Sequence, residues 1–146
     1  MPMLDDEGRA RHRLKFRQLS GLYGVVRLAA EVPVPNWATK GEFRSITRTA
    51  DELSVVCPVE NLPDGVRSQH RWTCLKLQGP FPISQTGVLL SFIEPLSTNG
   101  IPIFAVSTHD TDYVFVREDK TKAALERLQS AGHTLIPGAR EQTIPG

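Results

Sequence analysis

The chain has 146 residues, with 17 basic and 16 acidic side chains and a net charge of +1. That length gives one domain or two small ones, and the charge balance gives no electrostatic reason to expect nucleic acid or an anionic membrane surface as partner. Hydrophobic residues make up 40% and charged ones 23%, which excludes disorder along the whole chain, and no apolar stretch approaches the roughly 20 residues of a membrane span.

Residues 1–12 are polar without periodicity and carry no apolar signal segment, so they read as a flexible arm. Cys57 and Cys74, with no secretory signal before them, read as reduced thiols of a cytoplasmic protein. Leu14 and Phe16 alternate with Arg13, Lys15 and Arg17, the pattern of a half-buried strand with a basic outer face. Tyr23 to Leu28 reads as a strand. Val32-Pro-Val-Pro rules out a long helix, because each proline removes an amide donor and pushes its predecessor to extended forms, and leaves room for one turn at 35–40. Phe43 to Arg48, a turn at Thr49 to Asp51, and Leu53 to Cys57 read as a hairpin, and Pro58 to Arg71 as loop or broken helix.

The second half is clearer. Trp72 to Leu77 is a predicted strand, followed by the breaker Gly79-Pro-Phe-Pro. Val88, Leu89, Phe92, Ile93 and Leu96 fall on one helical face, with Ser84 or Thr86 as N-cap, Asn99-Gly100 as stop and Pro95 as a kink. Ile101 to Val106 and Asp112 to Val116 are strands around a polar turn. Glu118-Asp119 opens a second helix with inner residues Ala124, Leu125, Leu128 and Ala131, and a short strand follows from His133 to Ile136. Residues 72–136 thus spell βαββαβ, the ferredoxin-like order, expected as a four-stranded antiparallel sheet with both helices on one face.

Ile46 to Val56 matches Val106 to Val116 at an offset of 60, and Tyr23 to Leu28 matches Trp72 to Leu77 at 49. The second copy therefore holds a helix that the first has largely lost, which makes the chain a tandem repeat with a degenerate first member. The expected division is an arm at 1–12, a degenerate half at 13–71, a complete half at 72–136 and a tail at 137–146.

Trp72-Thr-Cys-Leu-Lys-Leu-Gln-Gly-Pro, Thr86-Gly-Val-Leu and Gly100-Ile-Pro-Ile-Phe-Ala-Val-Ser-Thr-His-Asp-Thr-Asp-Tyr-Val-Phe-Val resemble the ACT-domain family, as does the first-half run Phe43 to Cys57. The likeness is to small bacterial two-ACT proteins and to the ACT domains of CASTOR-type arginine sensors and aspartokinases. It implies an α+β, non-enzymatic regulatory module that binds a small ligand, an amino acid, and pairs as a homodimer. It also implies where the ligand sits: the strand-to-helix loop Ser84, Gln85, Thr86, Gly87 and Val88, facing the strand from Ile103 through Ser107 and Thr108, with Asp112 at the acidic position of the hairpin. Gln85 stands where the arginine sensors carry a glutamate, which argues against a cationic ligand.

Physics permits such a site. A helix N-terminus offers unpaired N–H groups and partial positive charge to a carboxylate, and Asp112 with strand carbonyls suits an ammonium group. The same residues fit a bland reading, in which Ser84 and Thr86 cap a helix, Asp112 fixes a turn, and Val88 and Leu89 belong to the core. A competing function is a structural protein that only homodimerises through its sheets. An RNA-binding sheet would need exposed aromatics, for which Tyr113 and Phe115 are the candidates. Cys57, Cys74 and His70 lack zinc-ligand spacing, and no nucleotide or hydrolase motif occurs, so no metal, cofactor or catalytic residue is expected.

Overall fold

The computed structural model describes residues 3–4, 10–82 and 85–137. In chain order the strands are β1 (Met3–Leu4), β2 (Ala10–Arg11), β3 (Lys15–Gln18), β4 (Tyr23–Leu28), β5 (Ser45–Arg48), β6 (Leu53–Pro58), β7 (Trp72–Leu77), β8 (Ile103–Ser107), β9 (Asp112–Arg117) and β10 (Thr134–Leu135), with helices α1 (Val88–Ser97) and α2 (Thr121–Ser130). Short 3-10 turns stand at Asn36–Thr39, Val59–Asn61 and Glu118–Lys120. From residue 72 onward the succession is βαββαβ, as the apolar periodicities predict. None of the helices among the described residues is long and apolar enough to cross a membrane.

The chain forms two compact units. One is Gly21–Thr73; the other joins the stretch up to Ser20 with the stretch from Cys74 onward. This differs from an expected boundary at 71/72, because residues 13–20 go with the second half. The cause is β3, which pairs antiparallel with β7 (Phe16 opposite Leu77, Gln18 opposite Leu75) and parallel with β10 (Lys15 opposite Thr134). The sheet of this unit therefore runs β10-β3-β7-β9-β8, with five strands in place of the expected four and one parallel pair among them.

Alternation along these strands builds one buried face. Leu14, Phe16, Leu75, Leu77, Val114 and Val116 lie under Val88, Phe92 and Leu96 of α1 and Ala124 and Leu128 of α2, so both helices cover the same side. The rings of Phe16 and Phe92 meet edge to face at 5.1 Å. Ala131, expected in this core, is exposed, because α2 ends at Ser130 and the chain turns away through Gly132 at φ 97°. The stop of α1 is as expected: Gly100 takes φ 72° and Ile101 N–H returns to the Leu96 carbonyl at 3.1 Å.

The arm is partly ordered, a correction to the flexible reading of 1–12. Met3 and Leu4 pair antiparallel with Arg11 and Ala10, and residues 11 and 12 are bonded to α1 and the loop before it. Residues 5–9, and all of the expected tail except Pro137, lie outside the described residues.

In the other unit β4 and β5 flank β6 in antiparallel register (Leu28 opposite Leu53, Ile46 opposite Val55). Ala38, Leu53, Val55 and Cys57 form its core, with Trp37 and Leu62 packed against it. Its hairpin repeats the β8–β9 hairpin, but at an offset of 59 and not 60. Thr49 N–H bonds the Glu52 carbonyl at 2.9 Å just as Thr108 N–H bonds Thr111, and the 3-10 turns at Val59–Asn61 and Glu118–Lys120 keep the same spacing. At 59, fully buried Val55 and Cys57 match fully buried Val114 and Val116; a slip of one residue would send them to opposite faces. The degenerate copy has lost more than its first helix. Among its described residues only 3-10 turns stand where α1 and α2 would be, in stretches holding Pro33, Pro35, Pro58 and Pro63.

Candidate functional site

The N-terminus of α1 is open. Its N-cap is Gly87 at φ 80°, a left-handed conformation that glycine adopts without steric cost, and no side chain bonds the first amides. Of the two expected caps, Ser84 lies outside the described residues and Thr86 comes one position too early. The Thr86 carbonyl instead accepts a hydrogen bond from His12 Nε2 at 2.9 Å. The first turn closes with Ser91 N–H on the Gly87 carbonyl at 2.9 Å, so the amides just ahead of it have no partner within the helix.

This open end faces the β8–β9 hairpin across a cavity of about 280 Å³. Gln85, Gly87 and Val88 line it from one side, Ser107, Thr108 and Asp112 from the other. Ser107 and Asp112 are direct cross-strand neighbours, and the Ser107 hydroxyl donates to the Asp112 carboxylate at 2.5 Å. Six expected residues thus come together. Thr86 does not line the cavity, and neither does Ile103, which sits opposite Val116 at the far end of β8 and packs on the core. Four residues of strand put it about 13 Å from Ser107. Val88 serves both readings, being 5% exposed in the core and lining the cavity floor.

Sequence reasoning missed the third wall. Phe81 and Pro82, read only as a breaker, line the cavity along with His109 and Asp110. Phe81 N–H bonds the Asp110 carbonyl at 2.8 Å, and the buried Thr111 hydroxyl donates to the Leu77 carbonyl at 2.8 Å. A Cβ on Gly79 would stand 2.8 Å from the Asp110 carbonyl oxygen, so the close approach requires glycine there. The available signal was a Gly-Pro-x-Pro run directly after a strand, which marks a tight, fixed connection. Leu90, 48% exposed, stands at the rim.

A hydrogen-bond relay fixes the α1 end from behind. Pro95 has no N–H for the Ser91 carbonyl, and the buried His133 supplies the missing donor from Nε2 at 2.9 Å. His133 Nδ1 accepts Leu14 N–H at 3.0 Å, so the ring is neutral with its proton on Nε2. The Ser91 hydroxyl donates to the Gly87 carbonyl at 2.6 Å and accepts His12 N–H at 3.0 Å. Burial holds the His133 imidazole below its ordinary pKa, against a smaller upward pull from the bond to Ser91.

The aromatics proposed for RNA stacking are not free platforms. Phe115 is fully buried and stacked on Phe104 at 4.5 Å, and Lys76 lies over the Tyr113 ring at 5.8 Å.

Comparison with known proteins agrees with this architecture. A family model for the ACT domain matches residues 67–130, and a model described as an N-terminal domain matches residues 21–65. The chain is 48% identical to protein Atu0741 of Agrobacterium tumefaciens, whose crystal structure it matches with a TM-score of 0.81 over 87% of this chain and 95% of that one. Human CASTOR3P is 29% identical over 91 residues, 53% of this chain and 56% of that protein, so the match spans little more than half of the relative. In fold alone, the chain is similar to aspartate kinase of Clostridium acetobutylicum, with 15% identity and a TM-score of 0.54 over 80% of this chain and 33% of the enzyme. Together with the βαββαβ succession of strands and helices, these matches show that the chain carries an ACT domain at residues 67–130.

Proposed function

We propose that the chain is a regulatory module of the cytoplasm, without catalytic activity, that binds an amino acid in the cavity between the α1 N-terminus and the β8–β9 hairpin. The observation that carries this is the facing of opposite charges across one small space. Uncapped amides at Val88 meet the ligand carboxylate, and the Asp112 carboxylate, held by Ser107, meets its ammonium group. A volume of about 280 Å³ suits a small polar amino acid, and Gln85 leaves no second acid beside Gly87 to favour a cationic side chain. Leu90, exposed at the rim, supports a second copy closing the site in a homodimer.

A thermal-shift screen of the twenty amino acids tests the reading. A ligand present at 100 times its dissociation constant stabilises the fold by about 2.7 kcal/mol. Asp112→Asn should abolish the shift while leaving the unliganded melting temperature nearly unchanged. If no amino acid shifts the protein at millimolar concentration, the proposal fails.

A further inference from the structure

A second cavity, of about 560 Å³, lies on the opposite side of the relay, among residues 11–13, α1 and the C-terminal turn of α2. Its charged lining is unbalanced. Among the described residues, Arg11, Arg13 and Arg127 face it with one carboxylate, Glu94, and Arg11 already holds that acid at 3.2 Å. Arg13 and Arg127 have no acidic partner among the described residues. The Arg13 side chain lies flat against Gly132, where a Cβ would stand 3.3–3.4 Å from its Nε, Cδ and Cγ, so a bare glycine brings its guanidinium beside the turn that bears Arg127. The α2 C-terminus contributes about half a negative charge, which two full guanidinium charges exceed. Two planar five-donor forks above a roomy polar cleft are the chemistry of bidentate oxyanion recognition.

We propose that this cleft is an anion-binding site for a small multivalent oxyanion bearing phosphate or carboxylate groups, held by Arg13 and Arg127. It does not depend on the amino-acid reading, but the structure joins the two places. His133 and His12 line the cleft, and both reach α1 through Ser91, whose hydroxyl bonds the Gly87 carbonyl; His12 also bonds the Thr86 carbonyl. An anion drawing residues 12 and 13 toward α2 acts on the loop at 85–87 along those bonds.

The test is titration of the full chain with pyrophosphate and, separately, citrate, followed by amide NMR and calorimetry in low-salt buffer. The proposal expects saturable binding of at least one probe, weakened at least tenfold in both Arg13→Gln and Arg127→Gln and unchanged in Arg44→Gln of the other unit. The Thr86 and Gly87 amides should shift with the same isotherm. Both arginines are exposed, and the dispersion of the variant spectra checks their folding directly. Pyrophosphate alone binding assigns a phosphate ligand, citrate alone a polycarboxylate. No binding by either probe, or equal weakening in Arg44→Gln, would overturn it.

Discussion

His133 is the residue on which most of the α1 unit converges. Its neutral ring accepts from Leu14 and donates to a carbonyl that Pro95 leaves without a helical partner. Protonating Nδ1 would set an N–H against an N–H. The folded-state pKa is lowered, so the unfolded chain binds the extra proton more readily. The contribution of His133 to stability is therefore complete above the ordinary value of 6.5 and is lost as pH falls through 6.5 toward the lower folded value. Urea unfolding at pH 7.5 and 5.5 should give a smaller free energy at the lower pH, and His133→Ala should cost about 2–4 kcal/mol at pH 7.5 while flattening that difference. Gly87→Ala forces a side chain into left-handed backbone at φ 80° and should cost about 1–2 kcal/mol, read from the same denaturation curves. At this scale the sequence was an uneven guide. Serine and threonine beside a helix start suggest caps, but the left-handed turn at Gly87 places the cap elsewhere. The ring's partners come from two separate stretches, Leu14 before β3 and Ser91 in α1, and nothing in the local pattern names them.

Among elements, the β8–β9 hairpin decides the shape of the candidate site. It is tied to the end of β7 by the Thr111 hydroxyl and to the following segment by Phe81 N–H on Asp110. Thr111→Val removes the buried bond at nearly constant volume and should cost about 1–2 kcal/mol, whereas Thr111→Ser keeps the donor and should cost less; chemical denaturation of the pair separates the two. A larger loss in Thr111→Ser than in Thr111→Val would show that the methyl packing and not the hydroxyl matters. Strands and helices were legible because alternation and helical periodicity are local properties. The repeat was legible too, but its register was not. Matching hydroxyls and acids suggests an offset of 60, while burial of Val55 with Val114 and of Cys57 with Val116 sets it at 59. Side-chain direction, invisible in a comparison of residue types, settles which match is physical.

For the molecule as a whole, the sequence suggested two consecutive halves, and the chain is built otherwise. The degenerate unit is continuous, but the complete one takes β3 from before it. Strand pairing is not encoded in a strand's own pattern, and Leu14-x-Phe16 reads the same whichever sheet receives it. Residues 72–146 alone should therefore fail to fold. They lack Leu14 and Phe16, 5% and 0% exposed, each of which contributes about 1.5–3 kcal/mol by burial, and together that rivals the whole stability of so small a domain. Circular dichroism and amide dispersion of that fragment check it, and adding a peptide of residues 10–20 should restore order if β3 is the missing part. A fragment that folds unaided would show β3 to be dispensable.

The insertion of β3 between β7 and β10 also sets an order of events during synthesis. β3 leaves the ribosome before either neighbour exists, and its parallel partner at Thr134 is 119 residues downstream of Lys15. Residues 21–73, whose own strand pairs are all nearer in sequence, can reach their native form while Phe16 still has no core to enter. Completion of the ACT unit thus awaits the synthesis of β10, and until then the apolar face of β3 stands open to chaperones or to the same strand of another nascent molecule.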